Sequence, residues 1–519
     1  MLLRSVAILC CLGATVSRAA YAQKLGTISF PNSGTAAAQA PFIRGVLLLH
    51  SFQYDESAIA FREAQTADRD FALAYAGEAL TYTHPVWNEQ DTAAARAVLM
   101  RLAPSAAIRR EKAKTSREKM YMDAVEALYG SGTKPKRDTL FAAAIERIVA
   151  EHPEDDEAKV FFALALLGLN QGERDVPAYM RAGAIAEEVL RRNPEHPGAA
   201  HFVIHAFDDP AHAPLGLWAA RAYSRIAPAA AHAQHMTTHI FLAMGMWDDV
   251  VSQNVIASGP QHERWRAGHA TSWLGYAYLQ QARFDEARKH LQHLRANAGA
   301  SMRPGERFHL PWMRAAYLIE SERWTDSVAS WSFAPIEAPA LRAVDAFATG
   351  FAALRAGDRA RAERVAAELT RERTTESGGF GLSNPAVIRI VGAEMRAALL
   401  AADGRTDDAI AAIREATHLE DSLPVEFGPP AVVKPTHELA GEILLAAGRF
   451  PDAQREFTRA LELAPGRSRS LLGLARAASR AGDQAVATRA ARDLLRNWHS
   501  ADKGLVERAD VERLVAERQ

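Results

Sequence analysis

Seven of the chain's 18 histidines fall in one short stretch. They are His196, His201, His205, His212, His232, His235 and His239. Imidazole binds transition metals and moves protons near neutral pH, so such a concentration points to chemistry. The spacing sharpens this. His201 and His205 stand four apart, and His232, His235 and His239 follow i, i+3 and i+7. On helices, each set shares one face. Side chains one turn apart can bind a single ion, as in other helix-borne His-x-x-x-His pairs. The pattern also recurs: His201 to His235, His205 to His239 and His235 to His269 are each 34 positions. In a stack of repeats with that period, the histidines form a ladder across neighbouring helices. A second register is open. Met246-Trp247-Asp248-Asp249 matches Arg283-Phe284-Asp285-Glu286 at a spacing of 37, which sets His232 rather than His235 opposite His269.

Carboxylates lie close by. Asp208, Asp209, Asp248 and Asp249 can ligate a metal directly or orient an imidazole from behind. Asp209 precedes Pro210, however, and aspartate before proline commonly shapes a turn. The expected metal ligands are therefore His201, His205, His232, His235, His239, His269 and Asp209. His212, Asp208, Trp247, Trp273 and Tyr276 are the expected pocket around them. Nitrogen and oxygen donors without sulfur suit zinc, copper, nickel or iron. Met236 beside His235 hints at copper, though methionine is more often core filler. An anionic or organic ligand, or a purely structural hydrogen-bonded cluster, are the other readings. A lone histidine is ordinarily packed or solvated. Several in register repel one another when protonated, and a shared ligand explains that arrangement better.

The elements that must position these residues are helices almost throughout. Apolar residues recur at three and four positions in 44–50, 57–67 and 388–400. Breaks come at Pro153, Pro194, Pro210, Pro228, Pro311, Pro385, Pro435 and Pro465. Gly245, Gly357, Gly404, Gly448 and Gly482 punctuate the middles of helix pairs. Taken as one 34-residue unit, 434–467 has Gly441 at position 8, Ala453 at 20, Phe457 at 24, Ala460 at 27 and Pro465 at 32. Small residues there let two helices approach, a large one fills the gap, and proline ends the second helix. The same frame fits 38–71 (Gly45, Ser57, Phe61, Ala64), 268–301 (Gly275, Tyr278, Ala287, Leu291), 343–376 (Gly350, Ala362) and 390–423 (Ala397, Ala409, Ile413, Ala416).

This pattern resembles the tetratricopeptide repeat (TPR). The resemblance implies an all-α solenoid of antiparallel helix pairs in a right-handed superhelix, with roughly nine to eleven pairs at the usual repeat length. It also implies a concave groove that takes a peptide or protein. The segments expected are a loose lead-in over 23–40, N-terminal repeats over 41–130, degenerate repeats with the histidines over 136–300, and C-terminal repeats over 301–519. Ser131 to Pro135 and Thr374 to Gly381 read as inter-repeat loops.

The N-terminus reads as a secretory signal over 1–22. Arg4 is followed by an apolar stretch and by Ala20-Tyr21-Ala22, with cleavage expected before Gln23. Both cysteines, Cys10 and Cys11, lie in this segment, so the mature chain holds no disulfide, thiolate ligand or cysteine nucleophile. The expected location is a bacterial periplasm, with full secretion as the alternative, and no membrane span in the mature chain. Lys+Arg of 61 against Asp+Glu of 62 leaves no field to attract nucleic acid. Walker, dinucleotide-glycine, Gly-x-Ser-x-Gly and His-Glu-x-x-His motifs are missing.

Weaker signals are His50 with Tyr54 and His84 with Trp87, read as ordinary repeat packing. Trp265 and Tyr278 join the aromatic group after the histidines, and Arg467 and Arg469 are read as a solvated face. The first functional reading is an exported TPR scaffold carrying a histidine-rich metal site. The alternatives are a metal-dependent hydrolase or oxidoreductase on the same solenoid, and a peptide-binding scaffold with structural histidines.

Overall fold

The computed structural model describes residues 24–169, 174–259, 268–298, 304–333, 335–371, 382, 384–425 and 427–516. The expected signal segment, Trp265 and the loop from Thr374 to Gly381 lie outside them. The chain divides into two compact units, 1–208 with 212–240, and 209–211 with 241–519.

Both units are built from helix pairs of the TPR type. In the first unit the pairs are Ala36–His50 with Tyr54–Ala67, Ala72–Leu80 with Thr92–Leu102, Ser116–Leu128 with Lys134–Glu151, Asp156–Gly168 with Val176–Arg192, and Pro197–Ala206 with Ala213–Ile226. In the second they are His269–Gln280 with Phe284–Asn297, Pro339–Arg355 with Arg359–Arg371, Ala386–Ala402 with Thr406–Asp421, Thr436–Ala446 with Phe450–Leu463, and Ser468–Ala481 with Gln484–Asn497. After Pro304–Ser321 the second helix of a pair is reduced to a 3-10 turn, Ser327–Ser330.

The expected consensus positions do the packing. The Phe457 ring is fully buried between Gly441 of its own pair and Gly473 of the next; a β-carbon at these glycines would stand 2.8 and 2.2 Å from it. Phe61 repeats this against Gly45 and Gly77, at 2.7 and 2.5 Å. One aromatic therefore joins two consecutive repeats, and only glycine admits it. The turns inside pairs need a left-handed residue, and Gly357, Gly404, Gly448 and Gly482 supply it with φ from 71 to 89°.

Two features depart from a plain array. Residues 24–35 form no helix, yet they are fixed rather than loose: Thr27 N donates to the Glu195 carbonyl at 2.9 Å, and Ser33 N to Glu118 at 2.6 Å. In the second pair, residues 81–91 form a small loop with the antiparallel strands Thr83–His84 and Glu89–Gln90 around the turn Pro85–Trp87.

In the first unit the helix Ala36–His50 also touches Pro197–Ala206. The repeats curl until the first helix meets the histidine-bearing one. In the second unit, Arg467 and Arg469 are buried rather than solvated. Arg467 pairs with Glu438 at 2.7 Å and with Glu320, and donates to the Tyr276 hydroxyl at 2.9 Å. No helix among the described residues is long and apolar enough to cross a membrane.

Gly473→Ala is expected to destabilise the protein by about 1–3 kcal/mol, because the Phe457 ring has nowhere to move. Gly392→Ala, in a helix with its nearest contact at 3.8 Å, is expected to stabilise by about 0.5–1 kcal/mol. Denaturant unfolding followed by circular dichroism reads both, and an equal response contradicts the packing scheme.

Candidate functional site

Helix Pro197–Ala206 carries His201 and His205, and helix Ala231–Ala243 carries His232, His235 and His239. All five are buried. Local sequence fixes the first helix: Pro197 occupies its first turn, and the His196 imidazole caps it by accepting from Ala199 N at 3.2 Å. At its other end, Arg174 donates to the carbonyls of Ala206 and Asp208 at 2.7 and 3.3 Å.

One nitrogen from each of His201, His205 and His232 lies within 4.8 Å of the others. His201 Nε2 and His232 Nε2 are 3.1 Å apart. On its far side, His201 Nδ1 donates to the carbonyl of His50 at 2.7 Å, which turns the Nε2 lone pair toward the cluster. His205 Nε2 is buried and has no hydrogen-bond partner. One turn along, His235 Nε2 and His239 Nε2 are 3.2 Å apart, and the His205 and His239 rings lie 6.2 Å apart. His239 Nδ1 bonds the Asp208 carboxylate.

His205 and His239, 34 apart as the ladder expects, lie with their rings 6.2 Å apart, and the direct contacts come at a shorter spacing. His201 meets His232 and Asp208 meets His239, each 31 residues away, because neighbouring first helices are staggered by about one turn.

Burial dominates the electrostatics. It pushes His201 down to about 3 and His205 and His232 well below their ordinary value, with the neighbouring imidazoles adding repulsion. All three are neutral at physiological pH. Neutral imidazole is the form that binds metal, so an ion displaces no proton from charged rings.

The N-terminal aromatic and histidine residues belong to this same site. Phe52 lies 4.3, 5.8 and 5.3 Å from the rings of His201, His205 and His232. Tyr223 stacks on His201, and Trp87 approaches His232 at 6.1 Å while remaining 45% exposed. Tyr54 stacks on His84 at 4.0 Å behind Phe52. The sequence reading took His50 with Tyr54 and His84 with Trp87 as ordinary repeat packing; the curl of the first unit brings them here.

A buried acid, Glu157, escaped the sequence reading altogether. It takes His50 Nε2 at 2.7 Å and His196 Nε2 at 3.0 Å. Burial raises its pKa, but the two imidazoles outweigh that and hold the carboxyl down at about 2. Burial simultaneously lowers His50. The only advance signal is an acid in the first turn of Asp156–Gly168, whose residues from 160 onward are all apolar.

The remaining expected residues make contacts of their own. Asp209 accepts from Ala211 N at 2.9 Å and shapes the turn at Pro210. His212 precedes the helix Ala213–Ile226. His269, Trp247, Trp273 and Tyr276 belong to the second unit. There His269 stacks near Trp273 at 4.8 Å, Trp247 donates to the Gly466 carbonyl at 3.0 Å, and Tyr276 binds Arg467.

No protein-family profile and no curated protein matches the chain. Solved structures of helical repeat proteins align with it. The yeast Tom70 crystal structure matches at 11% identity over 92% of this chain and 95% of that one, with a TM-score of 0.30. The human IFIT1 dimer with m7Gppp-AAAA matches at 13% identity over 92% of each, with a TM-score of 0.35. The TPR domain of P58(IPK) matches at 11% identity over 93% and 99%, with a TM-score of 0.22. At these scores the alignments add nothing to the packing described above.

The depressed histidines set an acid sensitivity. Above pH 6.5 folded and unfolded chains both hold them neutral. Below it the unfolded chain binds protons that the folded site refuses, down to about pH 3 for His201. Metal-free protein should therefore lose on the order of 1 kcal/mol per pH unit for each such histidine as pH falls from 6.5 to 5. Denaturant titrations should show a shallower slope in a His201→Gln/His205→Gln/His232→Gln variant; an unchanged slope contradicts the assignment.

Proposed function

We propose that the protein is an exported TPR scaffold that holds a divalent transition-metal ion on His201, His205 and His232. The observation that carries this is three buried, neutral imidazoles from two successive repeats with their nitrogens within 4.8 Å. An all-nitrogen set of neutral imidazoles fits zinc, copper, nickel or iron. The His50 carbonyl supplies the outer hydrogen bond that fixes the His201 ring, and Glu157 holds the His50 side chain beside it. The export reading rests on Arg4, the apolar stretch and Ala20-Tyr21-Ala22; N-terminal sequencing of the mature chain is expected to begin at Gln23.

A second reading, a metal-dependent enzyme, draws on one feature. Three protein nitrogens leave a fourth position, as catalytic zinc sites do, and the half-exposed Trp87 borders it. An ion there would polarise bound water or substrate. Binding of a peptide or protein along the repeats is compatible with either reading.

Elemental analysis of the mature chain, purified without chelator, tests the proposal. At least one equivalent of metal is expected, reduced in His201→Ala/His232→Ala. Less than about one-tenth equivalent, with no uptake of added zinc, copper or iron, overturns it. Copper loading should also quench tryptophan emission, with a smaller effect in Trp87→Phe.

A further inference from the structure

The repeat carries its histidine pair twice. His201 and His205 occupy the fifth and ninth positions of Pro197–Ala206, and His235 and His239 the fifth and ninth of Ala231–Ala243. The second pair is more than a copy in sequence. His239 Nδ1 bonds the Asp208 carboxylate, a histidine–carboxylate arrangement that presents Nε2 as a lone pair. His235 Nδ1 faces Thr238 Oγ1 at 3.5 Å. That hydroxyl gives its own proton to the His235 carbonyl at 2.6 Å, so its oxygen is left to accept. Both rings are thus anchored through Nδ1, and their Nε2 atoms converge to 3.2 Å.

This mirrors the first site, where His201 is anchored through Nδ1 on the His50 carbonyl and its Nε2 meets His232 Nε2 at 3.1 Å. Metal–nitrogen bonds of about 2.0–2.1 Å in a tetrahedron set neighbouring nitrogens roughly 3.3–3.4 Å apart. Both contacts are close to that edge. An N–H···N hydrogen bond spans a similar distance, and metal titration separates the two.

We propose that His235 and His239, with Asp208 behind His239, bind a second divalent transition-metal ion beside the first, so that the centre is dinuclear. The first ion rests on the function proposed above; the second has its own ligands and its own test. His235 and His239 give it two nitrogens from one helix, with the Asp208 carboxylate behind one of them. On binding, each ring uses its Nε2 lone pair and keeps its one proton on Nδ1, toward Asp208 in His239 and toward Thr238 in His235.

The experiment is equilibrium dialysis of the chelator-stripped mature chain against zinc ion at pH 7.5, with bound metal measured by mass spectrometry. Two equivalents are expected. His235→Ala/His239→Ala should keep one and His201→Ala/His232→Ala should keep one, with folding checked by circular dichroism. Asp208→Asn, a milder change, should keep one equivalent and weaken the other by about 10–100-fold. A readout without substitution is copper(II) resonance: at two equivalents the signal should broaden as the neighbouring ions couple. A single equivalent in the unaltered chain, lost only in His201→Ala/His232→Ala, overturns the second ion and leaves the proposed function standing. Two equivalents retained by His235→Ala/His239→Ala also overturn it. No zinc at all overturns both.

Discussion

The hydrogen bond from His201 Nδ1 to the His50 carbonyl joins residues 151 apart in sequence, and the first unit's histidine site depends on it. It fixes which nitrogen of His201 carries the proton. It also records that the chain has curled far enough for its first helix to reach the fifth pair. Glu157 secures the same junction from the other side. By accepting from both His50 and His196, it holds the C-terminal end of one helix against the N-terminal cap of another. A lone buried carboxylate is costly, but one with two N–H donors is not. The clamp and the metal candidates therefore form one connected assembly, with outer hydrogen bonds setting the direction of inner lone pairs.

The two units solve burial of polar inner faces differently. In the second, the inner helices bury opposite charges: Arg467 with Glu438 and Glu320, and Lys434 with Glu438 and Glu442. These groups compensate one another. In the first, the inner face at 201–239 buries imidazoles, with Asp208 the carboxylate bonded to His239. Burial keeps the rings of His201, His205 and His232 uncharged, which removes mutual repulsion and leaves their lone pairs usable. A set of neutral donors this dense is suited to an external cation in a way that a self-neutralised ion network is not.

What was legible in the sequence follows from what is local. Helix periodicity and the Gly-Ala-Phe spacing needed only neighbouring turns, so the frames at 38–71 and 434–467 correspond to observed pairs, and Phe61 and Phe457 pack as the spacing requires. The i, i+4 histidine pairs were legible for the same reason. Partner choice between helices was not. A stagger of about one turn puts His232, rather than His235, against His201, and a period count cannot show stagger. Nor could it show that His50, Phe52, His84 and Trp87 converge on the histidines, because that depends on the accumulated curl of five pairs. Arg467 was misread as solvated because its partners Glu320 and Glu438 are distant in sequence.

Phe52 connects these themes. It stands at the turn inside the first helix pair, the place that Gly357, Gly404, Gly448 and Gly482 take in four pairs of the second unit and Ala282 in a fifth, and like them it has a positive φ, 52°. For a residue with a bulky side chain that conformation costs about 1–2 kcal/mol relative to glycine. No backbone requirement of the turn calls for phenylalanine. The ring, however, is buried and packs on all three candidate ligands, His201, His205 and His232. It supplies part of the desolvation that keeps them neutral. The strain is local and the compensation lies at the site: a glycine here would relax the backbone and let water reach the imidazoles. A left-handed phenylalanine over three converging histidines thus puts a bulky ring where four pairs of the second unit have glycine, and the ring's burial serves the site's electrostatics.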